Sequence, residues 1–255
     1  MNQTINTTLR VFIPFALGYF LSYLYRVVNV VMAPDLVRDL GIGPSALGLL
    51  TASYFISFAS VQLPLGVLLD RFGPRKVEAF LLIFAGLGAF VFARSGTLAG
   101  LVMGRALIGF GVAACLMAAF KAYVLWFPKH QWPLANGFQM AAGGLGAIAA
   151  TTPVEAALQI TDWRGVFTIL ALLTLLVAVI IFLVVPEKPL REKGESFGDQ
   201  MRGVRQVFSS LEFWRTAPLT TMSQASFLSI QGLWAGPWLK DVAGMDRTAV
   251  ARSLL

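Results

Sequence analysis

Apolar residues come in runs of about twenty, separated by short polar breaks. The runs fall at about 11–33, 46–69, 77–94, 98–125, 134–159, 165–185 and 217–239. A helix that crosses a bilayer needs roughly 20 mostly apolar residues. The pattern therefore predicts an all-α chain with seven spans. Asp35 to Pro44 forms one break and Gly73-Pro74 another; Phe127 to Pro133 and Asp162-Trp163-Arg164-Gly165 form two more. The fifth run is the least apolar and carries Gly137, Gly143, Gly144 and Gly146. Small residues of this kind let membrane helices approach closely. The first run, from Val11 to Met32, is long enough to span, and no charged start or small-residue cleavage site precedes it.

The stretch from Pro186 to Arg215 differs from the rest, being long, charged and mixed in sign. It reads as a linker between two bundles, with a surface helix near Gln200–Leu211. The predicted organisation is a six-helix bundle over 1–185, a linker over 186–215 and the start of a second bundle over 216–255. Another apolar segment begins at Ala249 and stops at Leu255, so the chain reads as cut off rather than complete.

Composition agrees with the hydropathy pattern. Hydrophobic residues make up 57% and charged residues 13%, against about 25% charged in soluble domains. The net charge of +7 reads as loop charge rather than as a nucleic-acid surface. Lys and Arg collect on the cytoplasmic side of membrane proteins. With the N-terminus inside, eleven of them fall on inner segments and six on outer ones, while Arg26, Arg105 and Lys121 lie within helices. The expected location is the plasma (inner) membrane, multi-pass, with a cytoplasmic N-terminus and lipid around the helices. One cysteine, Cys115, and one histidine, His130, exclude an internal disulfide and a multi-cysteine metal site. No cofactor is implied. The helices hold no nucleophile–base pair, so an enzyme is not expected.

Ionisable groups inside membrane helices mark functional candidates. At the centre of a span Arg26 costs roughly 2.5–3.5 kcal/mol, which a dozen apolar neighbours at about 0.3–0.6 kcal/mol each can offset. Tyr19, Ser22, Tyr23, Arg26 and Asn29 recur at three- and four-residue spacing, which places them on one face of the first helix. That face lines a polar cavity or forms an interhelical hydrogen-bond seam. Arg105 sits early in the fourth helix, and both arginines lie about seven residues from the outer end, roughly 10 Å deep. Equal depth suggests that both reach one bound anion. For Arg105 the alternative is bonding to carbonyls of a neighbouring helix. No Asp or Glu is expected deep in the first six helices. Lys121, near the inner end of the fourth, is expected to snorkel to the headgroups. In the seventh helix Gln224, Gln231 and Trp238 share a face.

Gly66-Val67-Leu68-Leu69-Asp70-Arg71-Phe72-Gly73-Pro74-Arg75-Lys76 resembles the signature of the major facilitator superfamily between its second and third helices. Pro74 stands where many members carry a basic residue. Arg105 with Gly109 resembles the family's fourth-helix motif, and Trp163-Arg164-Gly165-Val166-Phe167 resembles its usual entry to the sixth helix. Tyr25 to Leu36 looks like the organophosphate:phosphate antiporter and anion:cation symporter branches, in which an arginine at this position touches an anionic substrate. The resemblance implies a major facilitator fold of inverted three-helix repeats. It implies alternating access for a small solute, with the other half of the transporter as partner. Gly66, Asp70, Arg71, Gly73 and Arg75 would bias one conformational state, Asp70 by meeting a helix N-terminus of the opposite bundle. The rival readings are efflux of apolar or cationic compounds and a membrane protein that does not transport.

Overall fold

The computed structural model describes residues 8–188, 197–230 and 234–253. Helix α1 runs Ile13–Leu40 and stops at Gly41 in the left-handed region. Helix α2, Pro44–Arg94, has 51 residues. At 1.5 Å per residue it measures about 77 Å along its path, more than twice the roughly 30 Å hydrocarbon core. It is two crossings in one segment. The break is Gly73, at φ 80° and ψ 158°. Only glycine adopts that backbone readily, which gives the Gly of the Asp-Arg-x-Gly motif its physical reason.

The fourth predicted helix is two pieces, α3 (Leu98–Val112) and α4 (Cys115–Trp126). The fifth is α5 (Trp132–Ala149) followed by a short α6 (Thr152–Leu158). The sixth is α7, Trp163–Val184. The linker holds α8, Phe197–Phe208. The seventh is α9, Leu211–Ser229, followed by α10, Ala235–Asp241. The segment after Ala249 lies in α11, Arg247–Ser253. Among the described residues, four stretches are long and apolar enough to span: Leu9–Leu40, Pro44–Arg94, Leu98–Trp126 and Trp163–Val184. The break at Gly73 makes these five crossings, and α5 with α6 adds a sixth path of lower hydropathy.

α2 packs along α3 and α7, and α1 packs against α5 and α7. The α3–α2 approach is close at Gly109, where a Cβ would stand 2.2 Å from the Tyr54 carbonyl oxygen. At the Gly41 end, Asp162 caps α7 by accepting from the Gly165 N–H at 2.7 Å. The Trp163 indole donates to Asp39 at 3.1 Å, and the Arg164 guanidinium donates to the Ser95 carbonyl at 3.1 Å. The Trp-Arg-Gly motif thus ties three loops together. The far side of α7 exposes Ile169, Leu172, Leu176, Val179 and Leu183, an apolar stripe suited to lipid. No residue of α9 is buried, whereas α10 meets α1 with Gly236 set against Val30.

Candidate functional site

A central cavity of about 920 Å³ opens between α1, α2, the α3–α4 junction and α9. Tyr19, Ser22, Tyr23 and Arg26 line it from α1, Thr51, Phe55, Phe58 and Gln62 from α2, and Thr220, Gln224 and Ser229 from α9. Among the described residues, no Asp or Glu lines it. Four of the five residues in the first helix's polar stripe face this cavity. Its rings pack on each other: Tyr19 and Tyr23 meet edge to face at 5.1 Å. The Tyr19 hydroxyl reaches the Met140 sulfur at 3.8 Å.

Arg26 is partly buried. Its guanidinium carbon lies 4.5 Å from the Tyr23 ring centre and 5.3 Å from that of Phe58. Aromatic faces attract the cation without neutralising it. Among the described residues no carboxylate forms an ion pair with Arg26, and its Nε has no hydrogen-bond partner in the protein. The cavity therefore presents one uncompensated guanidinium on an otherwise mostly apolar wall.

Arg105 is placed differently from the shared-anion expectation. It is 1% exposed and is not among the cavity-lining residues. Its Nη1 donates to the Tyr25 carbonyl at 3.0 Å. With the Asn29 amide oxygen turned toward it, Nη2 and Nε donate there at 3.2 and 3.3 Å. Its guanidinium carbon sits 4.8 Å from the Tyr54 ring centre. Arg105 bonds to the residue beside Arg26, so the two arginines stand at one level of the bundle, but the Arg105 side chain points away from the cavity. Asn29 goes with it: it is buried against Arg105 instead of facing the cavity. The two arginines do not share one space, and the packing role that the sequence left open for Arg105 is the one its contacts fit.

The Asp-Arg motif sits at the Gly73 end. Asp70 accepts from Lys121 Nζ at 2.6 Å, an intrabundle ion pair between α2 and α4. Lys121 therefore reaches Asp70 rather than headgroups, and this lysine is the ion-pair partner of Asp70 among the described residues. Gly66 lies one turn before Asp70. Arg71 lies over the Phe72 ring at 5.4 Å. Arg75 lies over the Phe182 ring at 4.9 Å and 3.8 Å from Glu187. Lys76 donates to Glu187, and this bond holds the Glu187 carboxyl below its ordinary range. Of the seventh-helix set, Gln224 lines the cavity, Trp238 is exposed outside it, and Gln231 lies outside the described residues.

One acidic group contradicts the sequence expectation. Glu78 is fully buried within the bundle. The predicted third helix began at 77, which set Glu78 at a headgroup boundary. The helix in fact continues from Gly73, and α1 and α4 cover the side chain. Nothing in the hydropathy pattern tells inward from outward in a helix's first turns.

A Major Facilitator Superfamily profile matches residues 15–254. The chain is 26% identical to the probable sulfoacetate transporter of Cupriavidus necator, over 98% of this chain and 61% of that protein. It is 28% identical to the hexuronate transporter of Escherichia coli K12, over 60% of this chain and 35% of that one. It thus spans less than two thirds of the length of either relative. A bacterial homologue of the human lysosomal transporter Spinster, solved inward-facing and occupied, superposes at TM-score 0.74 and 21% identity. That match covers 94% of this chain and 56% of the other, and it carries the fold alone. The all-α architecture, the paired crossings around Gly73 and the profile match agree: this chain is a multi-pass membrane protein and belongs to the Major Facilitator Superfamily.

Proposed function

We propose that the chain forms the first six-helix bundle, the linker and the beginning of the second bundle of a secondary transporter for a small anionic solute. In this reading the Gly73 end and the N-terminus are cytoplasmic, the membrane is the inner one, and the remaining helices of the transporter close the pathway. The supporting observation is Arg26: a guanidinium on the wall of a large central cavity whose lining, among the described residues, holds no carboxylate. Relatives named as transporters of sulfoacetate and hexuronate, both anionic, favour the same substrate class.

Arg26 is the charge contact. Tyr19 and Tyr23 set its position and supply hydroxyls, while Gln224 faces the solute from the second bundle. Arg105 and Asn29 fix the backbone of α1 at Tyr25, one residue from Arg26, and so hold it from behind. Gly66, Asp70, Arg71, Gly73 and Arg75 bias the rocking of the two bundles at the cytoplasmic end.

The test is binding of sulfoacetate and glucuronate to the full-length protein, read as thermal stabilisation, with Arg26→Gln beside it. A hydrogen bond to a charged group is worth about 1.5–3 kcal/mol, so the variant is expected to bind roughly 10- to 150-fold more weakly. An anion that stabilises both proteins equally refutes the role of Arg26. Stabilisation by apolar cations and by no anion favours the efflux alternative.

A further inference from the structure

Glu78 takes no part in the cavity, the motif or the linker contacts. It lies five residues past the break at Gly73, about 7 Å along the helix, with a fully buried side chain. Each neighbouring helix brings a different surface to it. α1 brings Gly18, so close that a Cβ there would stand 2.2 Å from Glu78 Oε1. α7 brings the apolar end of Ile181 to the same spot. α4 brings the Cys115 thiol and the Tyr123 phenol. The hydroxyl hydrogen of Tyr123 is committed to Gln139 Oε1 at 2.6 Å, and the Gln139 amide donates onward to the Phe15 carbonyl at 3.2 Å. The thiol is a weak donor. Among the described residues, neither Glu78 oxygen has an N–H or O–H partner and no cation pairs with it.

An arginine in such a place has no way to shed its charge, but a carboxylate does. Burial of an isolated ion is among the costliest events in a protein interior, and a proton removes that cost. The site is also one layer behind the cavity. Gly18 precedes the cavity-lining Tyr19, and Cys115 precedes the cavity-lining Leu116. Cys115 lies within electrostatic reach of both Tyr19 and Arg26. One shell of side chains, with Cys115 in it, therefore separates Glu78 from Arg26.

We propose that Glu78 is a proton-binding site that couples solute movement to the proton gradient. One carboxylate oxygen takes H⁺ from water and returns it to water on the other side; no electrons move. The packing described here, with Gly18 and Ile181 pressed on the group, is that of the loaded form. Unloading requires α1 or α4 to shift and admit water. The coupling, though not the proton site itself, rests on the transport reading above.

Two measurements on the full-length protein test it. In lipid, infrared pH-difference spectra are expected to contain a carboxylic-acid C=O band that Glu78→Gln lacks; identical spectra overturn the proposal. In proteoliposomes, Glu78→Gln is expected to lose accumulation of sulfoacetate driven by an imposed pH gradient, falling to the no-gradient level, while counterflow exchange persists. Accumulation equal to wild type overturns the coupling, as does a parallel fall of both activities in a folded variant, which marks a purely structural carboxyl. If wild type performs no counterflow with any anion tried, the transport reading itself has failed. The infrared comparison then still decides whether Glu78 holds a proton.

Discussion

Replacing Arg105 by lysine separates a packing role from a substrate contact. The guanidinium makes three N–H contacts, one to the Tyr25 carbonyl and two to the Asn29 amide oxygen, and lies over the Tyr54 ring. An ammonium keeps the charge but donates from a single point, so it can satisfy one of the two acceptors and loses the planar stacking. Each lost contact is worth about 0.6 kcal/mol by intramembrane comparison and up to about 1.5 kcal/mol by the values for soluble proteins. Two lost contacts make the expected destabilisation about 1–3 kcal/mol. At roughly 2–4 °C per kcal/mol, the unfolding midpoint falls by roughly 2–12 °C. The assay is thermal unfolding of the full-length protein in detergent, followed by tryptophan fluorescence, since Trp163 is fully buried. Anion affinity is expected to change little. A variant as stable as wild type that no longer responds to anions would refute the packing role and return Arg105 to the substrate.

Two further outcomes follow from local geometry. Gly73→Ala forces a side chain onto φ 80° and ψ 158° and is expected to destabilise by about 1–3 kcal/mol, whereas Gly137→Ala, with open space around it, is neutral or stabilising; equal unfolding midpoints would contradict this. The Glu187 carboxyl is held low by its bond to Lys76, so the tether stabilises above the ordinary carboxylate range and is lost as pH falls through the depressed value. Proteolysis after Lys188 is therefore expected to quicken on acidification in wild type but to be insensitive to pH, and already fast, in Glu187→Gln; matching pH profiles would sink the tether.

The parts legible in the sequence were those with a strong one-dimensional signal. Spans announce themselves by length and hydropathy, and Gly73 by standing where the chain must reverse. Azimuth is harder. From Tyr19 to Arg26 is seven residues, which at about 100° per residue returns within about 20° of the start. Asn29 lies three residues further and has drifted about 80° from Tyr19, enough to leave the cavity and meet Arg105. The first four members of the stripe line the cavity and the last does not. Arg105 shows the same division: its depth followed from counting, while its direction depended on Gly109 letting α3 approach Tyr54. Glu78 was missed because a charged residue near a loop looks alike whether it turns outward or inward. The only hint was Gly18, whose small size has no visible purpose until its neighbour across α1 is known.

These charges divide into two kinds with different uses. Arg105 is desolvated and triply bonded, so it cannot change partners without leaving buried acceptors empty; it belongs to the fixed part of the bundle. Asp70 and Lys121 keep 28% and 35% of their side-chain surface in contact with the surroundings. An ion pair so exposed is worth about 0–1 kcal/mol. Breaking it shifts a two-state equilibrium by at most about fivefold, and a new partner of similar worth restores the balance. A latch that must open in every cycle needs this property. If Asp70 serves as one, its bond to Lys121 is the resting contact it leaves when the opposite bundle approaches, and the weakness of that bond is what makes the exchange fast and reversible.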